Sequence, residues 1–177
     1  MVGSAATPDQ PQALPSWPPE GRLEGWPDVQ AAMRAFLLAA CGQGCREMWW
    51  IAPDFDQWPL DDSEVLEALT QWARRPGVHL YCLSHDFEQL RRSSPKWVRW
   101  RQTFGHVLSC KRPDETAGAD LPRAMLADRA CLLKVLDVVH PRARVTSDKR
   151  DIHYASEQIA AILQRSSDTF SVSVLGL

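Results

Sequence analysis

The feature that most constrains the fold is a strand–helix–strand pattern in the first half of the chain. Residues 47–52 (EMWWIA) and 78–84 (VHLYCLS) are short apolar runs of the kind that form buried strands. Between them, Asp61 and Glu64 predict a capping box for an amphipathic helix that ends at Pro76-Gly77. This order, within about 40 residues, predicts a βαβ unit with parallel strands and a right-handed crossover.

The alternation of strand and helix patterns continues on both sides of this unit. It predicts helices over residues 28–42, 86–104 and 153–165, and strands over residues 106–110, 123–127 and 130–136. Asp28 is the expected N-cap of the first helix, and the second helix is expected to break near Ser93-Ser94-Pro95. We therefore expect one α/β domain with a mixed, mostly parallel sheet and helices on both faces.

Composition excludes several classes of protein. The 177 residues are 45% hydrophobic, which suits one domain with a sizeable core, and the net charge of −2 argues against a dedicated nucleic-acid binder. No apolar run approaches the roughly 18 residues of a membrane span, and the first residues lack the pattern of a secretory signal. The five cysteines are an odd number and are scattered, so we expect free thiols in a cytoplasmic protein.

The two ends of the chain differ from its centre. Residues 1–20 are rich in Pro, Ala and Ser and are expected to form a disordered tail, and residues 21–170 are expected to form the α/β domain. Residues 171–177 are apolar enough for an edge strand, or for a tail that docks on the domain itself or in a partner's groove.

The segment from Leu121 to Asp128 (LPRAMLAD) has the spacing of a catalytic motif without its chemistry. It resembles the His-x-Lys motif of the phospholipase D superfamily, in which Asp follows the Lys after four residues. Leu121 stands at the His position, Arg123 at the Lys position, and Asp128 keeps the Asp. The order of strands and helices also resembles a half-domain of that superfamily, over roughly residues 26–170.

The resemblance implies a fold whose active centre has been lost. In the family the motif His attacks the phosphodiester and the Lys holds a phosphate oxygen, but Leu121 has no nucleophilic or proton-transferring group. The family's Gly-Ser-x-Asn segment is also missing, because residues 129–137 (RACLLKVLD) contain neither Gly nor Asn. Arg123 retains a guanidinium that suits phosphate, although Asp128 could pair with it and neutralise it. Asp128 itself is expected to serve the geometry of a tight turn.

A different histidine remains an alternative nucleophile. His85 follows a predicted strand, where α/β folds place ligands, and it is the best remaining candidate for chemistry, although Asp86 beside it also suits a helix cap. His140-Pro-Arg142 begins like the motif, but the following Asp, Asp148, lies one residue too late. Since family members with a single half-domain pair with a second copy, a homodimeric phosphodiesterase or nuclease that uses such a His is the alternative function.

A basic run in the predicted helix 86–104 is the main candidate binding surface. Arg91, Arg92, Lys96, Arg99 and Arg101 alternate with Trp97, Trp100 and Phe104. Aromatic rings interleaved with cations are typical of nucleic-acid surfaces, but the spacing of the three rings is also that of a core-facing stripe opposite a solvated basic face. Arg123 and the five basic residues are the candidate anion-binding residues.

The sequence predicts no metal site and no cofactor. Cys41 and Cys45 lack a second Cys/His pair at zinc-ligand spacing, and no glycine-rich phosphate loop is present. We therefore expect a non-catalytic binding or scaffold domain with a protein partner and weak affinity for nucleic acid or phospholipid headgroups. Homodimerisation is compatible with this function, and a generic α/β interaction domain unrelated to the superfamily remains the third hypothesis.

Overall fold

The fold is described from a computed structural model of the chain, over residues 13–116 and 121–170. In chain order its elements are β1 (Gly21–Glu24), α1 (Trp26–Gly42), β2 (Glu47–Ile51), α2 (Ser63–Ala73), β3 (His79–Leu83), α3 (Glu88–Ser93), α4 (Pro95–Phe104), β4 (Leu108–Pro113), β5 (Arg123–Ala127), β6 (Cys131–Asp137), β7 (Arg142–Thr146), α5 (Lys149–Gln164) and β8 (Ser166–Asp168).

The eight strands form one mixed sheet in the order β1-β7-β6-β5-β2-β3-β4-β8. The β2–α2–β3 segment is the expected βαβ unit, and β4 lies parallel to β3 on its far side. The other five strand pairs described are antiparallel, so the expectation of a mostly parallel sheet is wrong. Two of these pairs, β5–β6 and β6–β7, are joined by short turns, and a short turn can connect only antiparallel neighbours.

Helices cover both faces of the sheet, as expected. Residues of α1, α2 and α4 pack with Trp50 in the larger core, and α5 packs with Ile51 in a smaller core on the opposite face. Successive residues of β2 thus point to opposite faces, as the pleat of a strand requires. The mixed α/β fold class is confirmed.

The helix boundaries correct two predicted caps. Helix α1 begins at Trp26, with Pro27 in its first turn, so Asp28 lies inside the helix and is not its N-cap. Asp62, not Asp61, caps α2 by accepting hydrogen bonds from the backbone N–H groups of Glu64 and Val65. The predicted break is confirmed, since α3 ends at Ser93 and α4 begins at Pro95.

The structure describes only the end of the predicted N-terminal tail. Residues 1–12 and 171–177 lie outside the described residues, while the side chain of Trp17 packs edge-to-face on Phe36 of α1 with 5.3 Å between ring centroids. Among the described residues, no helix is long and apolar enough to cross a membrane.

Candidate functional site

The start of β5 lies beside the carboxyl ends of β2 and β3, and we call this end of the central strands the carboxyl edge of the sheet. Because β5 runs antiparallel to β2, Arg123 at the start of β5 comes close to the loop that follows β2. His85 follows β3 at the same edge. This is the position at which α/β sheets carry their ligands, so these residues form the candidate site.

The guanidinium of Arg123 forms an ion pair with Asp54. Nη1 and Nη2 of Arg123 donate to the two carboxylate oxygens of Asp54 at 2.7 and 3.1 Å, in a bidentate ion pair. Burial opposes ionisation of Asp54, but the hydrogen bonds from Arg123 and from the backbone N–H of Asp56 outweigh it and lower the Asp54 pKa. The Arg123 side chain is 18% exposed. The terminal N–H donors of Arg123 that suit a phosphate are therefore already hydrogen-bonded to Asp54.

Leu121 belongs to the core, not to a pocket. It is 6% exposed and lies in the smaller apolar cluster with Ile51 and Leu83 of the sheet and Ile152 of α5. Its side chain contributes apolar area to this cluster, and it has no group that ionises.

Asp128 follows the other end of β5, and its side chain forms hydrogen bonds with backbone N–H groups. Its carboxylate accepts hydrogen bonds from the backbone N–H groups of Arg46 and Glu47 at 2.7–2.9 Å, and its own N–H donates to the Glu47 carbonyl. Its φ of 47° is one that Asp tolerates better than most residues. The partner that neutralises Arg123 is thus Asp54 and not Asp128, which holds the hairpin turn against the start of β2.

The histidines do not converge on this edge. His85 is half-buried, and no hydrogen bond or ion pair to its side chain is present among the described residues. Nε2 of His79 lies 2.8 Å from the Ser109 hydroxyl, and burial lowers the His79 pKa. His140 and His153 are exposed beside Asp137 and Glu157 respectively. The described part of the chain therefore shows no pair of histidines that could share a phosphodiester.

The basic run divides into an exposed face and one buried residue. Arg91, Arg92, Lys96 and Arg99 are exposed on α3 and α4, and we call these four residues the basic face. Trp97 and Trp100 are buried, so these rings form the core-facing stripe and not a base-stacking surface. Arg101 is only 7% exposed and lies over the Phe170 ring. It points inward because it falls on the same side of the helix as the two tryptophans, and it is not part of an anion-binding surface.

A groove beside α5 is a feature that the sequence analysis did not find. It has a volume of about 820 Å³, and the stacked rings of Trp49 and Tyr81 lie on its sheet side with Ile159 and Leu163 of α5 opposite. The only signal in the sequence was the alternation of large residues along β2 and β3, which does not reveal that α5 leaves them half-exposed. No group of three or more potential metal ligands occurs among the described residues.

Comparison with known proteins identifies the fold. No protein-family model matches the sequence, and no curated protein matches it. Nuc from Salmonella typhimurium, a phospholipase D family member, superposes with a TM-score of 0.52 and 11% identity, over 78% of this chain and 91% of that one. NucT from Helicobacter pylori superposes with a TM-score of 0.54 and 11% identity, over 85% and 99% of the two chains.

A third similar structure is that of TrmBL2, an archaeal chromatin protein with a novel mode of DNA binding. It superposes with a TM-score of 0.59 and 12% identity over 84% of this chain, which spans only about half (53%) of the TrmBL2 chain. Identities this low show the fold alone. The chain therefore has a phospholipase D-like fold.

Proposed function

We propose that the chain is a non-catalytic phospholipase D-like domain that binds phosphate-bearing polyanions. The non-catalytic part of this proposal rests on one observation, the surroundings of the motif residues Leu121 and Arg123. Leu121 is buried in the core, and the guanidinium of Arg123 is paired with Asp54. A nucleophile and a free phosphate-holding cation are both required for phosphodiester transfer in this fold, so their replacement favours a binding role.

The basic face supports the second half of the proposal. Its four cations project from two consecutive helices, and only Arg91 has an acidic partner among the described residues, Glu88 at 3.5 Å. Such an ion pair between exposed side chains contributes little and competes weakly with a phosphate. The overall charge of −2 limits the attraction to this local patch, so binding is weak and salt-sensitive. The DNA-binding neighbour TrmBL2 is consistent with nucleic acid as the polyanion.

A titration against labelled single-stranded DNA tests this function. Wild type should bind weakly and lose most of its affinity between about 50 and 200 mM salt. The triple variant Arg92→Ala/Lys96→Ala/Arg99→Ala should reduce the slope of log K against log salt by about 2, since each lost phosphate contact contributes about 0.7 for a single strand. Vesicles of anionic phospholipid, measured in parallel, separate a headgroup ligand from a nucleic acid.

The matched control removes two cations from the opposite side of the sheet. Lys149→Ala/Arg150→Ala lies at the exposed start of α5 and should leave the salt slope unchanged. If the control lowered the salt slope by about two thirds as much as the triple variant, binding would follow total charge and not the basic face. Tight binding that ignores salt and the triple substitution would overturn the proposed ligand class.

The face of the sheet that carries α5 supports assembly with a second copy. A single described helix lies there, whereas α1, α2 and α4 cover the other face. Beside it, Tyr154 of α5 and Leu136 of β6 are 62% and 55% exposed and line one shallow groove. Exposed apolar side chains that are contiguous mark protein interfaces. We therefore include homodimerisation through the α5 face in the proposal.

Light scattering during size-exclusion chromatography measures this assembly. The chain has a mass of 20.0 kDa, so a dimer is expected at about twice this value. Tyr154→Glu should shift the protein to the monomer, while Arg74→Glu, at an exposed position after α2, should not. A monomer at all concentrations of the wild type would refute the homodimer.

A further inference from the structure

Arg101 is a buried cation for which the described residues supply no carboxylate partner. It is 7% exposed, and no ion pair with an Asp or Glu occurs to it in residues 13–116 and 121–170. Removing a charge from water is costly unless another group compensates it. The contacts of Arg101 must therefore supply that compensation.

An aromatic ring and a thiol surround the guanidinium. Cζ of Arg101 lies 4.0 Å from the centroid of the Phe170 ring. The same ring stacks on Phe87 at 4.9 Å and 10°, and Cζ of Arg91 lies 4.4 Å from its centroid. A ring face attracts a cation but carries no net charge. Among the described residues, the Cys110 thiol is the neighbouring group that can acquire a full negative charge, and the charge of Arg101 lowers its pKa.

Cys110 also has a second thiol directly beside it. Cys82 of β3 is its register partner across the parallel β3–β4 pair, and both side chains lie in the larger core. Adjacent strands place opposed Cα atoms about 4.8 Å apart, which lies within the range of about 4.4–6.8 Å that a disulfide spans. The two sulfurs can therefore be joined without moving either strand far.

The surroundings separate Cys110 from the other cysteines. The hydrogen bond from Cys82 and the charge of Arg101 outweigh burial and lower the Cys110 pKa. Burial raises the pKa of Cys82, which stays protonated and donates to Cys110. Burial also raises the pKa of Cys41, Cys45 and Cys131 to about 12. Only a thiolate reacts readily with electrophiles and oxidants.

We propose that Cys82 and Cys110 form an oxidisable dithiol in which Arg101 activates Cys110, and that a small peroxide is the oxidant. The Cys110 thiolate attacks one oxygen of hydrogen peroxide, the O–O bond breaks, and sulfenic acid and hydroxide form. Cys82 then loses its proton to that hydroxide, giving water, and its sulfur attacks the Cys110 sulfur. The S–S bond forms as the S–O bond breaks, and the expelled hydroxide takes a proton from solvent. In sum, two thiols and one hydrogen peroxide give one disulfide and two waters.

This site is independent of the proposed function. It lies in the core beneath α4, and neither Arg123 nor the three basic-face residues replaced in the triple variant take part in it. Arg91 of the basic face shares only the Phe170 ring with Arg101. Failure of DNA binding would leave the dithiol untouched, and failure of the dithiol would leave the proposed function untouched.

Competition among the five cysteines of the folded wild-type protein is the primary test. The protein is treated with hydrogen peroxide, free thiols are blocked with iodoacetamide, and peptides are mapped without reduction. The expected product is the Cys82–Cys110 linked peptide, with a mass loss of about 2 Da. Cys41, Cys45 and Cys131 are also buried and serve as internal controls. Any of these three oxidised as fast as Cys110, or a disulfide between other cysteines, would overturn the proposal.

Two variants assign the roles of the neighbours. Cys82→Ser should stop the reaction at the Cys110 sulfenic acid, which dimedone traps. Arg101→Met should slow Cys110 oxidation at least tenfold, while Arg101→Lys, which keeps the charge, should restore part of the rate. An Arg101→Met variant that is folded by circular dichroism and oxidises at the wild-type rate would contradict activation by the guanidinium. The wild-type competition decides the proposal if that variant does not fold.

Discussion

At the start of β5, the ion pair between Arg123 and Asp54 joins residues that are 69 positions apart in the chain. Arg123 was identifiable from the motif spacing, whereas nothing in the local pattern pointed to Asp54. Asp128, the partner suggested by the motif, is the wrong carboxylate, because local spacing does not show which loop residue a β-strand in another part of the chain will meet. The partner is set by the antiparallel pairing of β2 and β5.

Replacing Asp54 by Asn should reduce stability in a pH-dependent way. The folded-state pKa of Asp54 lies below its ordinary value, so its ionised form stabilises the fold above the unfolded pKa of about 4. That contribution is lost as pH falls through the folded pKa. We expect a difference in unfolding free energy of about 1 kcal/mol at pH 7, since the carboxylate is partly exposed. Urea unfolding of both proteins between pH 3 and pH 7 measures it, and a difference that grows toward pH 3 would show the wrong sign.

The same substitution should create anion affinity at this edge. Asp54→Asn frees the guanidinium of Arg123, which is well shaped for a phosphate. Inorganic phosphate should then bind several-fold more tightly than to wild type in calorimetric titration, and the double variant Asp54→Asn/Arg123→Ala should lose the gain. An equal gain in the double variant would assign the new affinity to another cation.

Among the secondary-structure elements, those with strong apolar patterns were predicted well. Strands β2, β3, β5 and β6 lie within about one residue of their predicted limits, because buried strands read as continuous apolar runs. The short strands β1, β7 and β8 were missed, since their sequences (GRLE, RARVT and SSD) contain few apolar residues. Two of them, β1 and β8, are the edges of the sheet, where burial is lowest and the sequence signal is weakest.

The β5–β6 turn provides a prediction at this scale. Asp128→Ala removes the acceptor of the Arg46 and Glu47 N–H groups and places a residue that resists positive φ at 47°. We expect a loss of about 2 kcal/mol in chemical denaturation. Asp128→Asn, which keeps an acceptor and tolerates this φ, should cost less than half as much. Equal losses would show that the negative charge, and not the turn geometry, matters at this position.

The start of α4 has a cap from a distant loop. Oδ1 of Asp61 accepts hydrogen bonds from the backbone N–H groups of Lys96 and Trp97 at 2.9 and 3.0 Å. Asp61→Ala should therefore destabilise the protein by about 1 kcal/mol, as loss of an N-cap does. Amide exchange should speed up at Lys96 and Trp97, whereas Asp62→Ala should affect Glu64 and Val65 of α2 instead. Faster exchange in α2 after Asp61→Ala would instead support Asp61 as the cap of α2, as the sequence predicted.

For the molecule as a whole, the fold class was accessible from the sequence, and the direction of most strand pairs was not. Alternating strand and helix patterns indicated the α/β class, and the spacing from Leu121 to Asp128 indicated the superfamily whose fold the chain has. The direction of most strand pairs and the coverage of each face depend on long-range packing, so local patterns could not give them. The inward position of Arg101 was overlooked although it shares a helical face with Trp97.

Hydrolysis by the purified wild-type protein tests the central claim most directly. The substrates are bis(p-nitrophenyl) phosphate, phosphatidylcholine, and single- and double-stranded DNA, and the same assays are run on His85→Ala and His140→Ala. With Leu121 in the core and Arg123 paired with Asp54, we predict no turnover above a buffer blank for any of the three proteins. Turnover that survives rigorous purification and disappears in His85→Ala or His140→Ala would contradict the non-catalytic assignment.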